Sequence, residues 1–214
     1  MHHVGVSGLA GLAFLAFVGV GQVIPQDAKD KGKGKSVQAA VPIELRLTGK
    51  KTTYTLDLGG QTAAEFKKQI KDADETGKAP PPPVVDLALE FRNTSDKDVQ
   101  LWIEGDATQL TLDLKGPGAV NNIRKKLAVT LDFRVPKTVT VAAGKSVSLP
   151  VKSLANGFRN LTAASYWLEA GDYTLTASYK TALSPAPKGS TDAGDGFGTV
   201  TLTSPPLKLK VQAK

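Results

Sequence analysis

Apolar and polar residues alternate along most of the chain after residue 40, and this alternation limits the fold more than any other feature. Leu87, Leu89 and Phe91 alternate with other residues in DLALEFRNTSD, and Leu175 and Ala177 do so in GDYTLTASY. A period of two puts alternate side chains on one face of a strand. Gly, Pro, Asn and Asp, the residues of tight turns, separate many short runs of this kind. The pattern predicts an all-β antiparallel sandwich.

The N-terminal 24 residues are mostly apolar and contain no Lys, Arg, Asp or Glu. Such a run fits a secretory signal, with the small residues Gly19-Val20-Gly21 as a cleavage point. The stretch from Val4 to Ile24 also approaches the length of about 20 apolar residues that a membrane anchor needs. We therefore expect a signal peptide or an N-terminal anchor over residues 1–24, and an exported protein that is periplasmic, cell-surface or extracellular.

Residues 25–40 are polar and rich in Lys and Gly, which predicts a flexible linker. The sandwich is expected to occupy residues 41–214 and to begin with a hairpin, because VPIELRLTG and TYTLDL both alternate. A further strand is expected in LAVTLDFRV, which ends at Val135.

One short helix is expected after this hairpin. Thr62 and Glu65 form a capping-box pattern, an apolar stripe that includes Phe66 and Ile70 follows, and Gly77 can end the helix. Pro80–Pro83 then forms a stiff spacer. Hairpin, helix and spacer together predict an insertion in the sandwich at about residues 48–83.

Catalytic chemistry is strongly limited by the residue types present. The chain contains no Cys, and its two His are residues 2 and 3, inside the N-terminal apolar segment. This excludes the usual histidine bases, cysteine nucleophiles, and zinc or haem ligands from the sandwich. We expect no enzyme activity, no catalytic residues, no cofactor and no metal.

Three aromatic residues are candidates for contact with a ligand or partner: Trp102, Tyr166 and Trp167. Trp102 is out of phase with Leu101 and Ile103, so it is expected on the opposite sheet face. There it is either an exposed contact or covered by the helix or by the 41–58 hairpin. Tyr166 and Trp167 precede a strand and are expected as a half-buried plug at the sandwich end.

The net charge of +7 comes from dispersed lysines. Dispersed charge favours solubility and attraction to anionic polymers, and it disfavours nucleic acid as a partner. The expected partner is a protein, with a polysaccharide or an anionic envelope polymer as the alternative. Membrane contact is expected only through residues 4–24, if they are uncleaved.

Three stretches resemble strands of bacterial immunoglobulin-like domains: LALEFRNTSDKDVQLWI, VTVAAGKSVSLPV and WLEAGDYTLTASY. In this order they are similar to the intracellular proteinase inhibitor family, over about residues 85–180. The resemblance implies an immunoglobulin-like sandwich with a tyrosine corner at Tyr173, preceded by Gly171. The Tyr173 hydroxyl would then bind a backbone group of the preceding connection, and Leu175 would fill the place of a disulfide.

These observations favour an exported, non-enzymatic accessory or protein-interaction module of the cell envelope. A proteinase inhibitor-like domain is the alternative, with Ala182–Gly198 or Asn156–Ala163 as its inhibitory loop. A carbohydrate-binding module that uses Trp102 is the second alternative.

Overall fold

The computed structural model describes residues 41–125, 133–158 and 161–214, and most of these residues lie in β-strands. The segments predicted as signal or anchor (1–24) and as linker (25–40) lie outside the described residues. The elements in chain order are β1 (Ile43–Gly49), β2 (Thr53–Thr55), α1 (Ala63–Thr76), β3 (Val84–Asn93), β4 (Val99–Glu104), β5 (Gln109–Lys115), β6 (Ala119–Lys125), β7 (Lys137–Val141), β8 (Ser146–Ser153), β9 (Ala155–Phe158), β10 (Leu161–Trp167), β11 (Gly171–Ser184), β12 (Thr191–Gly194), β13 (Phe197–Thr203) and β14 (Leu207–Gln212).

Two sheets share one hydrophobic core. The smaller sheet has the order β1-β3-β8, and the larger sheet is built around β11, which pairs with β4 and β5 on one side and with β13 and β14 on the other. Phe91 of β3 meets Tyr179 of β11 edge to face, with ring centroids 5.1 Å apart. This arrangement matches the A-B-E and C-F-G sheets of immunoglobulin-like sandwiches. The predicted all-β, immunoglobulin-like antiparallel sandwich with one short helix is confirmed.

The predicted alternation is what fills this core. Leu45, Leu89 and Leu175 are each at most 2% exposed, whereas Arg46 of β1 and Arg92 of β3 face solvent. Burying one such aliphatic side chain contributes about 1.5–3 kcal/mol. Since the chain has no cysteine, these contacts take the place that a disulfide has in antibody domains.

Two prolines divide the last strand of the larger sheet into β13 and β14. Pro205 and Pro206 cannot donate to a sheet ladder, and the neighbouring Ser204 makes the missing bonds. Its backbone N–H donates to Ala177 O at 2.8 Å, and its Oγ accepts from Ala177 N at 3.0 Å. As a result, β11 pairs with β14 along its first half and with β13 along its second half.

The predicted N-terminal hairpin is wrong, although both strands exist. β1 pairs with β3 in the smaller sheet, whereas β2 runs parallel to β14 in the larger sheet. Lys210 N donates to Thr52 O and Leu56 N donates to Gln212 O, each at 2.8 Å. Alternation indicates which face of a strand is buried but does not name its partner, so two neighbouring runs were expected to pair with each other.

The helix forms as the sequence predicts. Thr62 Oγ1 accepts from Glu65 N at 3.2 Å, and Glu65 Oε2 accepts from Thr62 N at 2.9 Å, which completes the capping box. Gly77 ends the helix in the left-handed region with φ 72°. Phe66 and Ile70 pack with Tyr166 and Leu168 in a second, smaller hydrophobic cluster.

A side-chain amide positions the strand that carries Tyr166 and Trp167. Asn121 of β6 accepts from Leu114 N at 3.2 Å and donates to Leu114 O at 2.9 Å, so its amide acts as a strand partner for the end of β5. Ser165 Oγ of β10 donates to the same Asn121 oxygen at 2.6 Å. These bonds fix the position of β10 along its own axis relative to β5 and β6.

A strand was predicted in LAVTLDFRV, but its described residues, 133–135, are not in a strand. Residues 126–132 lie outside the described residues, and Phe133 and Val135 are 62% and 78% exposed, without strand pairing. Arg134 instead ties this segment to Asp106, with its Nε 2.9 Å from the Asp106 carboxylate. Within the described ranges, the chain has no helix that is both long enough and apolar enough to span a membrane.

Candidate functional site

A cleft of about 750 Å³ opens where β2, the first turns of α1 and the proline segment meet. Its floor is aromatic and consists of Tyr54, Phe66, Tyr166 and Trp167. One wall is Pro80–Val84, and polar side chains, among them Lys51 and Asp57, form the rim. We call this recess the β2 cleft. Its volume lies within the range of about 300–1,000 Å³ that is typical of ligand sites.

The floor is made rigid by aromatic packing. Tyr54 stacks on Trp167 with ring centroids 5.3 Å apart and planes at 28°, and Trp167 in turn lies 6.2 Å from Tyr173. Tyr166 meets Phe66 edge to face at 5.9 Å. Because Tyr166 and Trp167 are consecutive in β10, one joins the helix cluster and the other joins the main core.

Hydroxyl groups of the floor tie the two sides of the β2 cleft together. Tyr54 Oη donates to Lys51 O at 2.8 Å and accepts from Asp86 N of β3 at 3.2 Å. Tyr166 Oη donates to Pro80 O at 2.9 Å. The proline wall and the aromatic floor are therefore joined by direct bonds, and the cleft is preformed.

The charges at the rim are unevenly compensated. Asp57 lies 3.9 Å from Lys214. Asp86, near the mouth, lies 2.8 Å from Lys152, and this hydrogen bond lowers the pKa of the Asp86 carboxyl. Lys51 Nζ lies over the Tyr54 ring, 5.4 Å from its centroid, and within the described part of the chain it has no carboxylate at ion-pair distance. The rim thus offers a positive charge beside an apolar floor.

Two of the three predicted contact residues line the β2 cleft. Tyr166 and Trp167 are 1% and 5% exposed, so they form its floor and do not project from the surface as a half-buried plug would. The lining residues Tyr54, Phe66 and Val84 were not predicted as site residues. In the sequence, Tyr54 is one apolar position of an alternating strand and nothing marks it as a site residue. The prolines indicated only a spacer.

Trp102 lies outside this cleft, half-buried against Phe197 of β13. The ring centroids are 5.0 Å apart at 31°. The expectation that the helix or the 41–58 hairpin covers Trp102 is wrong. β11 extends to Ser184, and the following segment folds back as a hairpin closed by Ala186 N donating to Gly196 O at 3.1 Å, which delivers Phe197 to the Trp102 ring.

Tyr173 lies at the start of β11 with its ring in the core. Its hydroxyl is within hydrogen-bonding distance of two backbone carbonyls in the preceding connections, Glu169 O at 2.7 Å and Pro117 O. Burial raises the pKa of the Tyr173 phenol. Gly171 allows close packing there, since Pro117 Cγ lies 3.0 Å from the point that a Cβ of residue 171 would occupy.

The segments considered as inhibitory loops are largely paired. Within Ala182–Gly198, β12 pairs with β13, and the tip is a tight turn in which Ser190 N donates to Pro187 O at 3.0 Å. Asn156–Ala163 includes residues 159–160, which lie outside the described residues, and its flanks pair as β9 and β10. In the portion of the chain that the structure describes, no group of three or more metal-binding side chains occurs.

Comparison with known proteins gives no family. No family model and no curated protein matches the chain. Among solved structures, the chain is similar to the cupredoxin domain of amoB from Nitrosocaldus yellowstonii, with 14% identity over 82% of this chain and 90% of that chain and a TM-score of 0.29. It is also similar to PapD-like domain 7 of human CEP192, with 12% identity over 93% and 98% of the two chains and a TM-score of 0.24. The protein's own strand order and core define its class, an immunoglobulin-like β-sandwich.

Proposed function

We propose that the protein is an exported, non-enzymatic interaction module of the cell envelope that binds a segment of a partner protein in the β2 cleft. The observation that carries this proposal is the preformed combination of an aromatic floor, a proline wall and a polar rim. Protein-binding sites use apolar pockets of this kind to hold an anchoring side chain, surrounded by groups that fix its orientation.

Export and the absence of catalysis rest on the sequence. The uncharged apolar run up to Ile24 has the composition of a targeting segment. The sandwich has neither Cys nor His, and the β2 cleft presents Lys51 and Asp57 as its charged side chains, with Asp57 beside Lys214. These groups suit recognition better than nucleophilic or acid–base chemistry.

A protein segment fits the β2 cleft better than a sugar does. A sugar ring stacks on the open face of an aromatic ring, but Tyr54 and Trp167 stack on each other and are only 6% and 5% exposed. One face of the half-buried Trp102 ring is likewise occupied by Phe197. Apolar side chains need only van der Waals contact and can use the ring edges that remain.

Site-specific photo-crosslinking in cells that make the protein tests this function. Val84 is 79% exposed at the mouth of the cleft and can be replaced by a benzoylphenylalanine residue. We expect one protein to crosslink from position 84 in the envelope fraction, and not from the exposed position Thr140 on β7. Equal crosslinking from both positions, none from position 84, or a protein confined to the cytosol would contradict the proposal.

A further inference from the structure

We infer that, if the proposed binding function holds, the partner segment enters the β2 cleft in an extended form, pairs with the free edge of β2 and carries acidic side chains. Three independent features of the described residues lead to this inference: the direction of the β2 backbone groups, the state of two other sheet edges and the charge at the rim.

The backbone of β2 has one paired edge and one open edge. The bonds from Lys210 N to Thr52 O and from Leu56 N to Gln212 O show that even-numbered residues of β2 face β14. In a parallel ladder the intervening residues face the other way. The N–H and C=O groups of Thr53 and Thr55 therefore point away from β14, and within the described chain no strand pairs with them.

This open edge borders the β2 cleft. Thr55 is exposed and lines the cleft together with Tyr54. An extended segment added to such an edge forms main-chain hydrogen bonds, while alternate side chains enter the neighbouring pocket. The aromatic floor can receive an apolar side chain of the added strand, and the residues before and after it would face the rim and solvent.

Both edges of the smaller sheet are closed to the same mode of binding. The bond from Asn93 N to Lys145 O places odd-numbered residues of β8 toward β3, so that Pro150 faces the free edge and removes a donor from it. On β1, Thr94 N donates to Pro42 O, which turns the backbone of Leu45 and Leu47 to the free edge. These residues are 2% and 6% exposed, so this edge is covered.

The charge at the rim selects acidic side chains. Asp57 is close to Lys214 and Asp86 is paired with Lys152, whereas Lys51 keeps an unmatched positive charge within the described residues. The net charge of +7 acts in the same direction over longer distances. A carboxylate one residue before or after the apolar anchor would lie on the rim side of the added strand, within the reach of the flexible Lys51 side chain.

The probe is a capped eight-residue peptide in which aspartate alternates with leucine, with a matched peptide in which lysine replaces aspartate. We expect the aspartate peptide to bind the full chain more tightly in a fluorescence-anisotropy titration. We also expect amide hydrogen exchange at Thr53 and Thr55 to slow when the aspartate peptide binds.

Two proline substitutions distinguish strand addition from simple contact. Thr55→Pro removes the outward N–H of β2 without touching the bonds to β14, and about a tenfold loss of affinity is expected, the effect of one hydrogen bond. Ser148→Pro makes the same change at the free edge of β8, and Thr55→Val removes only a hydroxyl. Both controls should change affinity less than about twofold.

Several results would overturn the inference. These are no binding of the aspartate peptide at 1 mM, equal binding by Thr55→Pro and the parent, or a preference for the lysine peptide. Self-association of the chain that Thr55→Pro abolishes would make a second copy the occupant and overturn it too. Crosslinking from position 84 that is as strong in Thr55→Pro as in the parent would leave the proposed function standing and remove only the strand addition.

Discussion

The ring of Tyr54 stacks on the ring of Trp167, with centroids 5.3 Å apart and planes at 28°. Tyr54 belongs to β2 and Trp167 to the end of β10. The Trp167 ring also packs against the Tyr173 ring, with centroids 6.2 Å apart. These rings brace one end of a sandwich that has no cysteine, and they form part of the floor of the β2 cleft. Stability and the proposed binding therefore depend on the same aromatic group.

Replacing Trp167 with Ala should destabilise the protein strongly, because a side chain that is 5% exposed leaves a cavity in the main core. The expected loss in the free energy of unfolding is about 3–5 kcal/mol. Urea unfolding followed by circular dichroism measures it. Trp102→Ala is the matched control, with a smaller expected loss because Trp102 is only half-buried; equal losses would contradict the packing described.

Stability should fall in alkaline solution because buried phenols resist ionisation. Burial raises the pKa values of Tyr173 and Tyr179 above the ordinary value of 10.0. Their contribution is complete below the pKa of the unfolded chain and is lost as the pH rises through the pKa of the folded state. Urea unfolding between pH 8 and about 12 should show this decline. Tyr173→Phe should make the decline of stability with pH shallower. An unchanged slope would contradict the buried position of the Tyr173 hydroxyl in the tyrosine corner.

Gly116→Ala should damage the same corner. Gly116 has φ 155°, and a Cβ there would collide with the Tyr173 ring. Gly189→Ala is the matched control, since Gly189 also has positive φ, 82°, but has no atom within 4 Å of the added Cβ. We expect Gly116→Ala to cost at least about 1–3 kcal/mol more than the control, the range of overpacking. Similar melting temperatures for the two variants would refute the close contact.

The capping box should be worth about 1 kcal/mol, so Thr62→Ala should lower the free energy of unfolding by that amount, and Thr62→Ser should retain most of it. The hydrogen bond from the Thr62 backbone lowers the pKa of Glu65. The contribution of Glu65 is therefore present above its unfolded pKa and is lost as the pH falls through its folded pKa. The Thr62 hydroxyl, which donates to Glu65 Oε2 at 2.8 Å, lowers this pKa further. Thr62→Gly keeps the backbone N–H and removes the hydroxyl, so carboxyl NMR titration should show the pKa of Glu65 rising part of the way toward its ordinary value.

Lys152→Ala should return the pKa of Asp86 toward its ordinary value of 3.8, because the hydrogen bond from Lys152 is the main cause of its lowering. Carboxyl NMR titration of both forms measures the change, and Lys97→Ala serves as an exposed control without this contact. If the pKa of Asp86 is the same in Lys152→Ala and in the parent, the ion pair is absent in solution.

Local sequence signals predicted what depends on neighbouring residues. Alternation gave the buried faces of β3 and β11, and Thr62, Glu65 and Gly77 gave both ends of the helix. The pairing of β2 with β14 was missed because it joins segments far apart in sequence, and the pattern of each strand is compatible with several partners. The β2 cleft was missed for the same reason, since its floor combines Tyr54 and Phe66 with Trp167 of the much later strand β10.

The parallel pairing of β2 with β14 also has a consequence for folding order. Thr53 is opposite Lys210, so this contact joins residues that are 157 positions apart in the sequence. Contacts of such separation close slowly and late. A chain that is still being synthesised would therefore lack a paired β2, and the proposed binding edge would be completed only after the last strand has been made.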